Sequence, residues 1–122
     1  MRDMIIAAVE DLLFSSKIRA AAKQVGADVV FARNPAEILQ RARDDKPALV
    51  IFDLNSAGTD PIATLQGLKN DPATASIPAI GFVSHVQTDV IRAAREAGVD
   101  EVMARSVFVT RLPEILSGGG AR

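Results

Sequence analysis

The feature that most constrains this 122-residue chain is an alternation of two patterns. Short uninterrupted apolar runs are separated by longer stretches whose apolar residues recur at helical spacing. The runs are residues 4–9 (MIIAAV), 28–32 (DVVFA), 48–53 (ALVIFD), 79–83 (AIGFV) and 101–104 (EVMA). A strand with one wet face alternates apolar and polar residues, whereas a strand buried on both faces is apolar throughout, as in parallel sheets covered by helices. Between the runs, Phe14, Ile18, Ala21 or Ala22 and Val25 form one helical stripe closed by Gly26. Asn34-Pro35 with Glu37 opens a second helix, inward along Ile38, Leu39 and Ala42 and ending near Asp44. Asp60-Pro61 opens a third along Ile62, Leu65 and Leu68, and Asn70-Asp71-Pro72 breaks it. Thr88 is placed to cap a fourth, with Ile91, Ala94 and Ala97 inward and Gly98 at its end, and a last short helix falls near residues 109–116. Five strands alternating with five helices imply a doubly wound α/β fold, a five-stranded parallel sheet with helices on both faces. The pattern predicts one domain over residues 1–117 and a flexible Gly-rich tail over residues 118–122.

Composition removes several function classes. With 14 Lys and Arg against 15 Asp and Glu, the net charge of −1 offers no electrostatic footprint for a nucleic-acid backbone. The absence of Cys excludes disulfide scaffolds, thiolate zinc sites and thiol nucleophiles. No apolar run approaches the roughly 20 residues that span a bilayer, and the N-terminus has no secretory pattern, so the expected location is cytoplasmic. Neither a G-x-G-x-x-G nor a G-x-S-x-G is present, which leaves dinucleotide binding and the commonest hydrolase chemistry unsupported. His85, the single histidine, has no obvious partner in sequence and is expected in an exposed loop.

In a doubly wound sheet the ligand site lies at the carboxyl ends of the strands, beside the point where strand order reverses. Glu10 and Asp11 follow the first strand and Asp53 ends the third, so three carboxylates meet at that edge. Like charges in a partly desolvated cleft call for a cation, and hard oxygens without His or Cys select Mg²⁺ or Mn²⁺. The bland alternative is an exposed acidic pair and a loop-capping Asp.

The runs IIAAVED, LVIFDLNSAG, IPAIGFVSH and AGVDEVMARSVF, in that order, resemble the receiver domain of bacterial two-component response regulators, with the CheY-like version of the α/β fold. The likeness covers roughly residues 3–116. It implies that Asp53 is the phosphate-accepting aspartate, that Glu10 and Asp11 are the acid pair that holds Mg²⁺, and that the Asn55 backbone carbonyl completes the metal shell. A histidine kinase or phosphotransfer protein would supply the phosphoryl group. A downstream protein would dock on the face formed by the fourth helix, fifth strand and fifth helix, and a homodimer is a further implied partner.

Four positions depart from the receiver pattern. Val83 stands where receivers carry a switch Ser or Thr, Arg105 stands for the Lys after the fifth strand, Ser106 for the Pro that follows a cis bond, and Val102 for an aromatic switch residue. Arg105 keeps the charge but not the geometry. It can clamp a phosphoryl group from another angle, fold onto the acids in place of a metal, or pair with Asp53 or Asp11 at the surface. The leading expectation is a stand-alone, atypical receiver, a signalling domain rather than an enzyme, that binds Mg²⁺ and accepts phosphate on Asp53. The rival is a pseudo-receiver, a phosphorylation-independent interaction or dimerisation module. A small-ligand binder on the same scaffold is a third.

Overall fold

In the computed structural model, which describes residues 4–85 and 87–118, every apolar run is a strand and every intervening stretch a helix. The order is β1 (Met4–Ala8), α1 (Leu12–Val25), β2 (Asp28–Phe31), α2 (Pro35–Asp45), β3 (Leu49–Asp53), α3 (Pro61–Asn70), β4 (Ala79–Val83), α4 (Thr88–Glu96), β5 (Glu101–Ala104) and α5 (Arg105–Leu116). The strands form one parallel sheet in the order β2-β1-β3-β4-β5, with Ile6 between Val30 and Val50. The expected α/β architecture is therefore present. Strand order reverses between β1 and β3, and this places Glu10, Asp11 and Asp53 along one edge of the sheet. No helix among the described residues is long and apolar enough to cross a membrane.

Both faces of the sheet are buried, which explains the uninterrupted apolar runs. Ile6, Ala8, Val50, Phe52, Leu54 and Val83 pack under α2, α3 and α4, while Ile5, Ala7, Val9, Ile51, Ile80 and Phe82 pack under α1 and α5. Three aromatics bind the second layer together. Phe82 of β4 stacks on Phe108 of α5 with centroids 4.6 Å apart, and Phe14 of α1 stands 5.0 Å from Phe82. The Asp100 carboxylate accepts from the Ala79 amide at 2.8 Å and so aligns the starts of β4 and β5.

Local signals hold at some termini and fail at others. Gly26 takes the left-handed conformation at φ 73° that ends α1, and Asn34 Oδ1 accepts from the Glu37 amide at 2.9 Å, as a capping Asn should. Asp60 does not cap α3. It sits at φ 43° and its side chain makes no cap bond, while Thr64 Oγ donates back to the Thr59 carbonyl at 2.7 Å. Thr88 lies inside α4, whose N-cap is Gln87. The last helix begins at Arg105, not near residue 109, because the chain turns from β5 into α5 without a connecting loop. No cis peptide bond occurs among the described residues, so the 105–106 bond is trans and Ser106 continues the helix where a cis bond would have broken it. Beyond Gly118, the expected flexible tail lies outside the described residues.

Candidate functional site

Asp53 closes β3, half-buried, at the point where the sheet meets solvent. Burial is the main influence on its carboxyl and raises its pKa. The Asn55 amide, which donates to Asp53 Oδ1 at 3.0 Å, and the nearby Arg105 oppose that shift only in part.

Glu10 reaches to the loop after β3. Its Oε1 accepts from the Ser56 hydroxyl and from the Gly58 amide, the latter at 3.0 Å. These two bonds, the hydroxyl's first, hold its carboxyl below the usual range. A Cβ at Gly58 would overlap the Glu10 carboxylate and displace it from these bonds. Asp11 is the N-cap of α1, with Oδ1 accepting from the Leu13 amide at 2.9 Å and the Phe14 amide at 3.1 Å. Its other oxygen, Oδ2, lies 3.7 Å from the Arg105 guanidinium.

Arg105 makes a second contact besides that pair. Its guanidinium lies over the Phe14 ring, 4.1 Å from the centroid, a distance at which a cation is attracted by the ring face. Phe14 is held in turn by Phe82 and Phe108. Because α5 starts at this residue, the Arg side chain is rooted on a helix rather than on a loop.

Asn55 connects two loops. Its Oδ1 accepts from the Ser84 amide at 2.7 Å, and its Nδ2 donates to Gln87 Oε1 at 3.0 Å. The segment after β4 is thus tied to the segment after β3. Val83 is 4% exposed and belongs to the core under α3 and α4, and Val102 is half-buried against the same core. Ser106 and His85 are exposed.

The spacing predicts Glu10, Asp11, Asp53 and Asn55 at one edge, and the structure brings them there, but protein groups already engage the acids: Ser56 and Gly58 on Glu10, the first amides of α1 and Arg105 on Asp11, and the Asn55 amide on Asp53. Among the described residues, no group of three or more acidic or His side chains is arranged to hold a metal ion. To receive Mg²⁺, which demands near-ideal octahedral oxygen geometry, Glu10 would have to leave Ser56 and Gly58, Asp11 would have to share its capping role, and Arg105 would have to withdraw its charge. As arranged, the donor set does not fit a divalent cation. The residues that settle this point, Ser56, Gly58 and Phe14, carried no functional signal in sequence. Ser56 and Gly58 read as loop and Phe14 as core, and their partners are distant along the chain.

No protein-family model matches the chain. It is 24% identical over 109 residues to the polar-differentiation response regulator DivK of Brucella anthropi, covering 88% of this chain and 89% of that protein. Among solved structures, a putative response regulator from Chloroflexus aurantiacus superposes with a TM-score of 0.85 at 19% identity, covering 100% of both chains. The Mn²⁺-bound form of response regulator Rcp1 superposes with a TM-score of 0.76 at 18% identity, covering 95% of this chain and 90% of that one.

The electrostatics of Asp53 lead to a test. A carboxyl whose pKa is raised by folding weakens the fold once it ionises, so this cost is absent at low pH and present in full above the folded pKa. Asp53→Asn keeps the acceptor for the Asn55 amide and removes the charge. It should raise unfolding stability at pH 7 by on the order of 1 kcal/mol, and the gain should vanish as pH falls below about 4. Urea unfolding of both proteins across that range measures it.

Proposed function

We propose that this chain, which carries the CheY-like receiver fold, is a receiver-type module of two-component signalling that works in one conformation rather than switching between two. It acts by binding proteins, not by turning over a small substrate. The observation that carries this reading is the Asn55 clamp. A receiver that signals must let the loop after β4 respond to the state of Asp53, and here that loop is already held by the Ser84 amide and Gln87 on one side chain. A neutral hydrogen bond contributes about 0.5–1.5 kcal/mol net, and a bond to a charged group about 1.5–3 kcal/mol. Val83 has no hydroxyl to make the second kind, so a phosphoryl group on Asp53 would gain little by moving the loop. Allosteric couplings are typically only about 1–3 kcal/mol, and two bonds made in advance cancel a force of that size.

The proteins such a module meets are, by its likeness to response regulators, histidine kinases or phosphotransfer proteins and downstream targets. The face formed by α4, β5 and α5 is the side we assign to the downstream target. β5 is an edge strand of the sheet, α4 packs against it, and Thr88, Ile91, Arg92, Arg95 and Glu96 of α4 line an open groove.

One observation favours a second reading, in which Asp53 still accepts phosphate. Asp53 Oδ2 has no hydrogen-bond partner among the described residues, since the Asn55 amide engages Oδ1. In that reading Oδ2 attacks phosphorus, the N–P bond of a phosphohistidine breaks, and its electron pair stays on the imidazole nitrogen.

Intact-mass measurement after incubation with Mg²⁺ and a small phosphoryl donor separates the two. No mass gain is expected under conditions that modify an ordinary receiver. Gain of one phosphoryl group in the wild type, lost in Asp53→Asn, would establish the second reading. The docking face has its own test: Arg92→Glu should weaken target binding in a pull-down equally with and without the phosphoryl donor, and unchanged binding would move the contact elsewhere.

A further inference from the structure

We infer that Arg105 is a built-in cation that takes over, at this sheet edge, the charge balance that a divalent metal would otherwise supply. The inference rests on the receiver reading only for the statement of where a metal would belong.

Three observations converge on it. First, the position of Arg105 is unfavourable unless something compensates. It is the first residue of α5, and the positive end of a helix dipole repels a cation. The compensation is visible: the face of Phe14 at 4.1 Å and the Asp11 carboxylate at 3.7 Å. Second, the contact uses the oxygen that the helix cap leaves over: Asp11 Oδ1 takes the Leu13 and Phe14 amides, and Oδ2 faces the guanidinium. Third, the platform beneath it is rigid. Phe14 is packed against Phe82 and Phe108, which are 1% exposed or less. A flexible surface Arg would leave the acids whenever a divalent ion arrived, whereas this one is seated on the aromatic core.

The third acid completes the balance without a cation. Glu10 is bound by two neutral donors on the β3–α3 loop, and that arrangement needs Gly58 to have no side chain. The edge therefore contains one guanidinium and one helix N-terminus on Asp11 and one loop of donors on Glu10. A metal would have to displace all three.

The consequence is direct competition between Arg105 and a divalent ion. Mn²⁺ serves as the probe, since the free ion has an electron paramagnetic resonance signal that falls on binding. The wild type should leave that signal unchanged at millimolar Mn²⁺ and should unfold at the same temperature with or without MgCl₂ at matched ionic strength. Arg105→Met, which keeps an apolar stem on Phe14 and removes the charge, should bind Mn²⁺ at least about tenfold more tightly than the wild type, and Asp53→Asn in that background should abolish the gain. Arg105→Gln is a second neutral variant should the first fail to fold, with folding checked by circular dichroism. Wild-type binding as tight as that of the neutral variants would overturn the inference. So would neutral variants that fold and bind no Mn²⁺, because the acids would then be unavailable for reasons other than Arg105. Neither result depends on whether the chain signals, so failure here is distinguishable from failure of the receiver reading.

Discussion

The rest of the site depends on one electrostatic constraint: a parallel sheet in the order β2-β1-β3-β4-β5 delivers Glu10, Asp11 and Asp53 to a single edge. Like charges so placed destabilise one another and must be answered by something. Receivers are expected to answer them with an external ion; this chain answers them with its own groups. Phe14 links that solution to the core, because the ring that supports the Arg105 guanidinium is part of the aromatic cluster joining α1, β4 and α5. The charge arrangement and the packing of one sheet face thus share Phe14.

The same logic extends to the loops. In a switching domain, the segment after β4 is free to follow a charge at the end of β3. Here Asn55 spans both segments, with its amide on Asp53, its side-chain oxygen on the Ser84 amide and its side-chain nitrogen on Gln87. Val83 and Val102 lie in or against the core under α3 and α4. On the receiver reading proposed above, apolar residues would stand in the places of moving parts, while the Asn55 hydrogen bonds tie the two loops together.

The fold was legible because burial on both faces writes itself into sequence as uninterrupted runs such as MIIAAV and ALVIFD, and because Gly26 and Asn34-Pro35 are local signals whose geometry is settled within a few residues. Asp60-Pro61 looks the same as Asn34-Pro35 in sequence, yet Asp60 adopts a left-handed backbone and its side chain makes no cap bond. The start of α5 was missed because Arg105 and Ser106 do not belong to the apolar stripe of Phe108, Leu112 and Ile115. At the site, spacing placed the acids but not their partners. Ser56 and Gly58 reach Glu10 from more than forty positions away, and the use of Phe14 as a platform for Arg105 joins two helices from opposite ends of the chain. Such pairings arise from topology and leave no periodic trace.

The central claim is that this domain is held in one state from within. It is tested most directly by the amide resonances of Asn55, Ser84 and Arg105 in nitrogen-resolved NMR spectra, recorded before and after addition of Mg²⁺ with beryllofluoride, a mimic of the phosphoryl group. All three should keep their positions, and the Ser84 amide should stay protected from hydrogen exchange. A new, saturable set of positions for these residues, with loss of protection at Ser84, would contradict it.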